Sequence, residues 1–256
     1  MDLYFIIVAI VLGLVMGSFY NVIAYRLSNE ESILLPGSYC VHCNHDLRWV
    51  DLIPLFSFLM TRGKCRYCNE SISFIYPFSE LFTAAIFVLC YLVFGLDLAI
   101  FIPLVMGSVL VIVVISDFKY LIIPDQVTIV ASILVILYKL FDVGIVDTGF
   151  AIGYGLIAFL AMWGLKKIGD LIFRQESMGG GDIKLMFLIG LVLGPLGAFI
   201  SVILASFLAF PMAVMQVIRQ NDNVIAFGPF LILAAFILII SGISANEIID
   251  IVFGVS

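Results

Sequence analysis

Charged residues are scarce in this sequence. Of its 256 residues, 12% are charged and 64% are hydrophobic, and the mean hydropathy is +1.24. Soluble globular domains carry about 25% charged residues, so this composition excludes an ordinary water-soluble protein. The apolar runs are long enough to cross a bilayer as helices, and they lack the alternation that is typical of a membrane β-barrel. The composition therefore predicts an all-α polytopic membrane protein.

The N-terminus lacks the basic segment of a signal peptide. The chain begins Met1-Asp2, and the apolar run that follows is too long for the core of a cleavable signal. We therefore interpret this run as the first transmembrane helix. The sequence also shows no repeat of fixed period and no low-complexity tail. The net charge of −6 decides little, because the placement of Lys and Arg governs topology more than their sum.

Eight apolar segments are candidates for membrane spans. They are Leu3–Ala24, Tyr76–Phe94, Leu98–Ser116, Asp125–Phe141, Thr148–Leu165, Ile183–Leu193, Leu196–Val217 and Ile225–Ser241. The sixth span is short, so we expect it to gain length from the glycines before it or to form a hairpin with the seventh around Gly194-Pro195. The tail from Ser244 to Ser256 is interpreted as an interfacial helix.

The basic residues predict the orientation of these spans. In the eight-span topology, eleven of the twelve Lys and Arg residues fall on one side, and only Lys139 lies near the other. By the positive-inside rule the basic side is cytoplasmic, and both termini face outward. The residues on the basic side are Arg26, Arg48, Arg62, Lys64, Arg66, Lys119, Lys166, Lys167, Arg174, Lys184 and Arg219.

A polar insertion follows the first span and carries four of the five cysteines. The two pairs are Cys40-x-x-Cys43 and Cys65-x-x-Cys68, with 21 residues between them. Four thiolates can bind zinc in a closed tetrahedron, which is typical of a structural and not of a catalytic site. Disulfides are the alternative, but the predicted cytoplasmic location keeps thiols reduced. The sequence therefore predicts a structural zinc ion.

This insertion sets the predicted division of the chain. We expect a first transmembrane helix at residues 1–26, a cytoplasmic zinc-binding domain at 27–75 and a transmembrane core at 76–256. A segment of about 50 residues has little core of its own, and a structural metal compensates for that. His42 and His45 are expected at the surface or behind the metal ligands, and Cys90 in core packing.

A glycine run with one acid stands at the start of the sixth span. In Gly179-Gly180-Gly181-Asp182, the glycines permit unusual backbone conformations and the close approach of another chain. A carboxylate at the mouth of a membrane helix is a functional-site hypothesis, and the alternative is a turn followed by an N-capping aspartate. Lys184 is either an interfacial anchor or a cation that favours the charged form of Asp182.

A second acid, Asp117, ends the third span on the same predicted side as Asp182. Two neighbouring carboxyl groups cannot both ionise easily, so one can act as general acid and the other as general base on a water between them, as in an aspartic protease. The alternative for Asp117 is an interfacial acid paired with Lys119. Asp125 opens the fourth span after Pro124, and we interpret it as an N-cap that could also orient the dyad.

These motifs together resemble those of the type IV prepilin peptidases, a family of bacterial membrane aspartic proteases. The resemblance covers nearly the whole chain, and only Ser28 and Val41 stand where many members have proline. It rests on Gly17-Ser18-Phe19-Tyr20-Asn21-Val22 with Tyr25-Arg26-Leu27, the two C-x-x-C pairs, Ile53-Pro54-Leu55, Arg62-Gly63-Lys64-Cys65-Arg66, Tyr76-Pro77 with Glu80, D-x6-P-D from Asp117 to Asp125, G-x-G-D from Gly179 to Asp182, and Phe227-Gly228-Pro229-Phe230.

The resemblance implies an activity, a substrate and a cofactor. Asp117 and Asp182 would be the catalytic pair that removes the basic leader of prepilins or pseudopilins at the cytoplasmic face of the bacterial inner membrane. The new N-terminal residue would then be methylated with S-adenosylmethionine, although no glycine-rich Rossmann fingerprint is visible and no residue is assigned to this cofactor. We expect no nucleic-acid partner, and the sequence leaves the oligomeric state open.

Three alternative functions follow from the same residues. The first is a peptidase without methylation, and the second is an ion-coupled transporter that uses the aspartates as proton carriers. The third is a structural assembly factor of a pilus machine, in which the acids would be dispensable. Transport sites tend to lie near mid-bilayer between repeats, whereas both acids here are predicted at one interface. The sequence does not distinguish pilus, secretion and DNA-uptake systems.

Overall fold

The structure is a computed structural model that describes residues 2–174, 176, 178–219, 226–243 and 247. Within these residues no β-strand forms, and the prediction of an all-α polytopic protein is confirmed. The helices are α1 (Leu3–Ser28), α2 (Phe56–Met60), α3 (Ile75–Phe94), α4 (Phe101–Tyr120), α5 (Asp125–Asp142), α6 (Gly144–Phe173), α7 (Gly180–Arg219) and α8 (Gly228–Ser241). Short 3₁₀ turns occur at Trp49–Leu52 and Leu98–Ile100.

The predicted spans correspond to these helices, and the sixth and seventh spans are the two segments of α7. Helix α7 covers both, and its helical dihedrals break at Gly194, where φ is 74° and ψ is 174°. Pro195 follows, and it cannot supply an N–H to the preceding turn. The sixth span gains length at its other end, because α7 begins at Gly180 in the glycine run. The predicted interfacial tail lies outside the described residues, Glu247 excepted.

Among the described residues, five helices are long and apolar enough to cross a membrane. They are α1, α3, α4 with the 3₁₀ turn before it, α6 and α7, and α8 is a shorter apolar helix. Large apolar side chains point outward from them, for example Leu160 of α6 and Phe207 of α7. Such exposed apolar side chains suit contact with lipid, and would be unfavourable in water. The chain is a multi-pass membrane protein.

The first compact unit, Met1–Ile100, is built on the packing of α1 against α3. A Cβ atom on Gly13 would lie 2.5 Å from the Cα of Ala84, and one on Gly17 would lie 2.7 Å from the Cα of Glu80. Only glycine fits at such distances. Glycines four residues apart on one helix face let two membrane helices approach closely, so dispersion contacts replace the missing hydrophobic effect.

Two buried charged residues connect the polar insertion to these helices. Arg26, near the end of α1 and 5% exposed, donates to three backbone carbonyls between residues 32 and 37 at 2.8–3.0 Å. Glu80 of α3, 7% exposed, accepts a hydrogen bond of 2.8 Å from the backbone N–H of Leu55. The insertion is therefore held at two points by side chains that the helices supply.

The second compact unit, Phe101–Ser256, contains the remaining helices. Helix α7 packs against α5, α6 and α8, and α4 packs against α5 and α8. The core holds fully buried side chains from three of these helices, namely Met106, Val113, Leu185, Leu188, Ile189, Leu231 and Ile232. This packing brings the C-terminal end of α4, the start of α7 and the start of α8 to one place. The predicted functional division at residues 26 and 75 stays a prediction.

Candidate active site and metal site

Asp117 lies in the last turn of α4. Its residue is only 6% exposed, and the helix ends three residues later at Tyr120. The chain then turns through Leu121, which has a φ of 55°, and reaches α5 by way of Ile123. Ile123 is 9% exposed and so forms part of the wall of the site. The short connection between α4 and α5 fixes the orientation of the last turn of α4.

Asp182 lies in the first turn of α7. The helix begins at Gly180, so Asp182 is its third residue and not the N-cap that the sequence left as an alternative. The residue is 7% exposed, and its Oδ1 atom is buried with no hydrogen-bond partner among the described residues. An unpaired buried acceptor is costly, which indicates a group held ready for a proton, a water or a substrate.

The two carboxyl groups converge on Gly228, the first residue of α8. A Cβ atom on Gly228 would lie 3.1 Å from Oδ2 of Asp117 and 3.2 Å from Oδ1 of Asp182. The separation of these two oxygens is therefore no greater than the sum of those distances. The backbone N–H of Gly228 also lies beside the carboxyl group of Asp117. One glycine thus leaves room for both acids and places an amide group next to one of them.

The glycines before Asp182 act by close approach and not by unusual dihedrals. The described glycines with positive φ are Gly63, Gly95, Gly144, Gly194 and Gly242, so the run at 179–181 is not among them. A Cβ atom on Gly181 would lie 2.7 Å from the Cβ of Ile123, and one on Gly179 would lie 3.3 Å from Oδ2 of Asp182. Gly180 faces open space. The expectation of special backbone conformations in this run was therefore wrong.

Lys184 and Asp125 form an ion pair beside the two buried acids. The Nζ atom of Lys184 lies 2.6 Å from Oδ2 of Asp125, and each side chain is about half exposed. Pro124 occupies the N-cap position of α5, and no side-chain capping hydrogen bond forms there. Asp125 is the first residue of the helix, so the interpretation of Asp125 as the N-cap was wrong. An exposed pair contributes at most about 1 kcal/mol, but this one ties α5 to α7 close to Asp182.

The four cysteines of the insertion meet in space. Their sulfur atoms all lie within 4.8 Å of one another, and Cys40 Sγ is 3.9 Å from Cys68 Sγ. A tetrahedron with Zn–S bonds of about 2.3 Å has edges of about 3.8 Å, whereas a disulfide requires about 2.05 Å. All five cysteines of the chain are free thiols here. The donor set and its spacing fit a metal ion and are compatible with zinc.

Each cysteine pair sits on the same backbone turn. In the first, the N–H of Cys40 donates to the carbonyl of His45, and in the second the N–H of Cys65 donates to the carbonyl of Glu70. Asn44 and Asn69 follow the second cysteine of each pair with φ of 54° and 61°. Asparagine adopts this left-handed conformation more readily than most residues, which suits the turn. The two turns are therefore equivalent halves of one site.

The thiols of the site differ in how readily they lose a proton. Burial raises the pKa of Cys40, but hydrogen bonds from the backbone N–H groups of Cys43 and His42 and from neighbouring thiols bring it down to about 7. The backbone N–H of Glu70 lowers the pKa of Cys68, but burial and the neighbouring sulfurs raise it to about 12. A metal that binds all four sulfurs as thiolates therefore displaces protons.

The two histidines of the insertion are exposed, as expected. The ring of His45 lies 3.7 Å from that of Tyr67, centroid to centroid, so it links the two cysteine turns. The sequence did not single out Gly228 as a contact of the acids or Glu80 as an anchor of the insertion. Both stood in motifs that were recognised, but their contacts are tertiary and leave no local pattern.

Comparison with known proteins identifies the family. A model of the bacterial peptidase A24 N-terminal domain matches residues 11–94, and one of the type IV leader peptidase family matches residues 104–214. A prepilin leader peptidase/N-methyltransferase of Bacillus subtilis is 35% identical over 72% of each chain. One from Aeromonas hydrophila is 30% identical over 96% of this chain and 93% of its own. No solved structure matches the chain. The chain belongs to the type IV leader peptidase family and is a peptidase.

Proposed function

We propose that this chain removes the basic leader from prepilins or pseudopilins, with Asp117 and Asp182 as its catalytic pair. The observation that carries the proposal is the convergence of two buried carboxyl groups on Gly228. The names of the relatives supply the substrate class, since each of the two described above is called a prepilin leader peptidase. Two carboxyl groups in a water-poor site suit hydrolysis through an activated water, as in other aspartic proteases.

The surroundings of the two acids favour different roles for them. The backbone N–H of Gly228 lies beside the Asp117 carboxyl group, and a donor in this position stabilises a carboxylate. The buried Oδ1 of Asp182 has no donor among the described residues, and a proton held by that carboxyl group can be donated to the neighbouring Asp117 carboxylate. Asp117 is therefore the general base and Asp182 the general acid. In the free enzyme the two carboxyl groups share one proton, and in this assignment Asp182 holds it.

The chemistry then proceeds in two proton-transfer steps. Asp117 takes a proton from a water, whose oxygen attacks the peptide carbonyl carbon, while Asp182 gives its proton to the carbonyl oxygen. The tetrahedral intermediate collapses when Asp117 passes its proton to the leaving nitrogen and Asp182 recovers one from the hydroxyl group. The C–N bond breaks, and the products are a carboxyl group and an amine. General acid–base catalysis of this kind contributes about 10²–10⁴ to the rate.

The orientation of the site follows from the charge distribution. The predicted topology puts eleven of the twelve basic residues on the cytoplasmic side, and it assigns the helix ends that carry Asp117 and Asp182 to the same side. A substrate with a basic leader keeps that leader in the cytoplasm by the same rule. The scissile bond then reaches the dyad at the cytoplasmic face of the bacterial inner membrane.

We include methylation of the new N-terminal residue in the proposal because of the names of the relatives. Those names include N-methyltransferase, and such a reaction uses S-adenosylmethionine as methyl donor. The described residues contain no parallel sheet and no glycine-rich turn between strand and helix, so a Rossmann-type site for this cofactor does not fit them. No residue is assigned to the cofactor, and no step is derived through it.

Zinc has a structural role in this proposal. Cys40, Cys43, Cys65 and Cys68 would hold it, and four protein ligands leave no open position for water or substrate. The ion would join two turns of an insertion that has little apolar core. Exposed apolar residues of the insertion, for example Trp49 and Leu59, show how little of this segment is buried.

The proposal is tested by incubating the purified protein with a prepilin from the same cell, with and without S-adenosylmethionine, and measuring intact masses. Loss of the leader supports the peptidase, and an added methylene mass with the methyl donor supports the second activity. Cleavage without methylation would leave a peptidase only. If well-folded protein does not cleave the prepilin, the ion-coupled transporter and the assembly factor become the better explanations of this chain.

A further inference from the structure

The insertion carries an apolar surface that its own fold leaves uncovered. Helix α2 presents Phe56, Leu59 and Met60 at helical spacing i, i+3 and i+4, so they share one face. Their exposed fractions are 53%, 71% and 65%. We call these three residues the α2 face. Soluble domains seldom expose three such neighbours together, so the α2 face is a contact surface for something apolar.

The level of this face relative to the membrane follows from Glu80. Helix α3 has 20 residues, a length of about 30 Å, which equals the thickness of the hydrocarbon core it must cross. Glu80 is the sixth residue of α3, about 7 Å along the span. Its Oε2 atom accepts the N–H of Leu55, the N-cap residue of α2. Even if the Glu80 side chain reaches back by one turn, Leu55 stays level with the first turn of α3.

A ring contact independently places α2 at the same level. Phe58 of α2 meets Phe74 in an edge-to-face arrangement with centroids 5.9 Å apart. Phe74 is the residue immediately before α3. Leu55, at the start of α2, and Phe58, on its inner side, thus attach α2 to the N-terminal end of α3. The α2 face points away from α3.

The charges around α2 suit the surface of a bilayer. Arg62 and Lys64 follow the helix directly and are exposed, so their cationic groups are available to anionic phosphate groups beside α2. Trp49, 77% exposed, belongs to the 3₁₀ turn that packs on α2, and tryptophan favours the membrane interface. The combination of an apolar face, an aromatic residue and adjacent cations is typical of an interfacial helix.

We propose that α2 is an interfacial anchor, with Phe56, Leu59 and Met60 inserted into the cytoplasmic leaflet and Arg62 and Lys64 at the phosphate level. The occupant of the α2 face is lipid. The metal-binding insertion is then fixed at the membrane surface beside α3 and does not extend freely into the cytoplasm. The proposal depends on the membrane span of α3 and on no assumption about the chemistry of Asp117 and Asp182.

Tryptophan fluorescence tests this proposal in the full chain. Trp49 and Trp163 are the only tryptophans, so Trp49→Phe with Trp163→Phe gives a silent background. Leu59→Trp in that background reports on the α2 face after reconstitution in nanodiscs that hold one copy each. Val41→Trp is the matched control, because Val41 is 54% exposed and lies between Cys40 and Cys43 on the metal-site turn. Unchanged metal content shows that each variant is folded.

We expect brominated lipids to quench Leu59→Trp several-fold more than Val41→Trp, and acrylamide in water to show the reverse order. Met60→Trp should behave like Leu59→Trp, and it replaces that variant if the latter loses its metal. Quenching of Leu59→Trp by acrylamide but not by lipid would overturn the proposal. So would protection from both quenchers, which indicates that another part of the same chain covers the α2 face, or equal lipid quenching of both reporters.

Discussion

The backbone N–H of Gly228 lies beside the carboxyl group of Asp117, and the Cα of this glycine has no room for a side chain. A Cβ atom there would meet Oδ2 of Asp117 at 3.1 Å, Oδ1 of Asp182 at 3.2 Å and Cδ1 of Ile123 at 2.5 Å. Gly228 is therefore a positioning residue for the proposed dyad. Comparing glycine-to-alanine substitutions at Gly228 and at a matched position distinguishes this role from a purely structural one.

We predict that Gly228→Ala lowers kcat by about 10²-fold or more, because it displaces both carboxyl groups from their working positions. The added methyl group also overpacks the site and costs about 1–3 kcal/mol of stability. Gly153→Ala is the control, since a Cβ atom on Gly153 of α6 would meet nothing within 4 Å. Peptidase assays at equal amounts of folded protein measure the effect. Equal activity of the two variants would contradict the contact described for Gly228.

The metal site gives a second prediction. Cys40→Ser should lose the metal and loosen the insertion, because three thiolates bind zinc less completely than four. Cys90→Ser is the matched control, since Cys90 is buried in α3 and takes no part in the cluster. Metal content after purification and protease sensitivity of the insertion measure the result. Full metal content in Cys40→Ser would count against this site.

The same site should release its metal as the pH falls. Cys40 has a pKa of about 7 without metal, so protons compete for its sulfur below that pH and no longer do so above it. Burial and the neighbouring sulfurs raise the pKa of Cys68 to about 12, so the metal must displace that proton at any neutral pH. Zinc affinity measured by competition with a chelator should therefore rise between pH 6 and 8. An affinity independent of pH would exclude thiolate ligands.

The ion pair of Lys184 with Asp125 should contribute to peptidase activity without being essential for it. Both side chains are about half exposed, so their coupling is expected at about 0.2–1 kcal/mol and weaker at high salt. Lys184→Met and Asp125→Asn should each lower kcat/KM by less than about tenfold, and the double variant should be little worse than either. A loss as large as that of Asp117→Asn would show that one of them takes part in the chemistry.

Much of the helical fold could be predicted from the sequence because membrane helices are long continuous apolar runs. The positions of the four cysteines and of Asp117 and Asp182 were also evident, since each lies in a short motif. The break inside α7 was also evident, since Gly194-Pro195 separates the sixth and seventh predicted spans. The N-cap of α5 was misplaced by one residue, since Pro124 takes that position and Asp125 follows it.

Tertiary contacts account for what the sequence did not reveal. Gly228 stands about 46 residues from Asp182 and more than 100 from Asp117, and only the packing of α8 against α4 and α7 brings the three together. Likewise, Lys184 meets Asp125 and not a neighbour on its own helix. The anchoring of Leu55 by Glu80 crosses from a loop to a membrane helix. No periodicity within one segment encodes such contacts.

The most direct test of the central claim compares three acid-to-amide variants in the prepilin assay. Asp117→Asn and Asp182→Asn remove one carboxyl group each, whereas Asp142→Asn changes an exposed acid at the end of α5. All three must insert and retain their metal at the level of the unchanged chain. We predict wild-type cleavage by Asp142→Asn and a loss of at least about 10²-fold by each of the other two. Wild-type cleavage by inserted Asp117→Asn or Asp182→Asn would contradict the dyad.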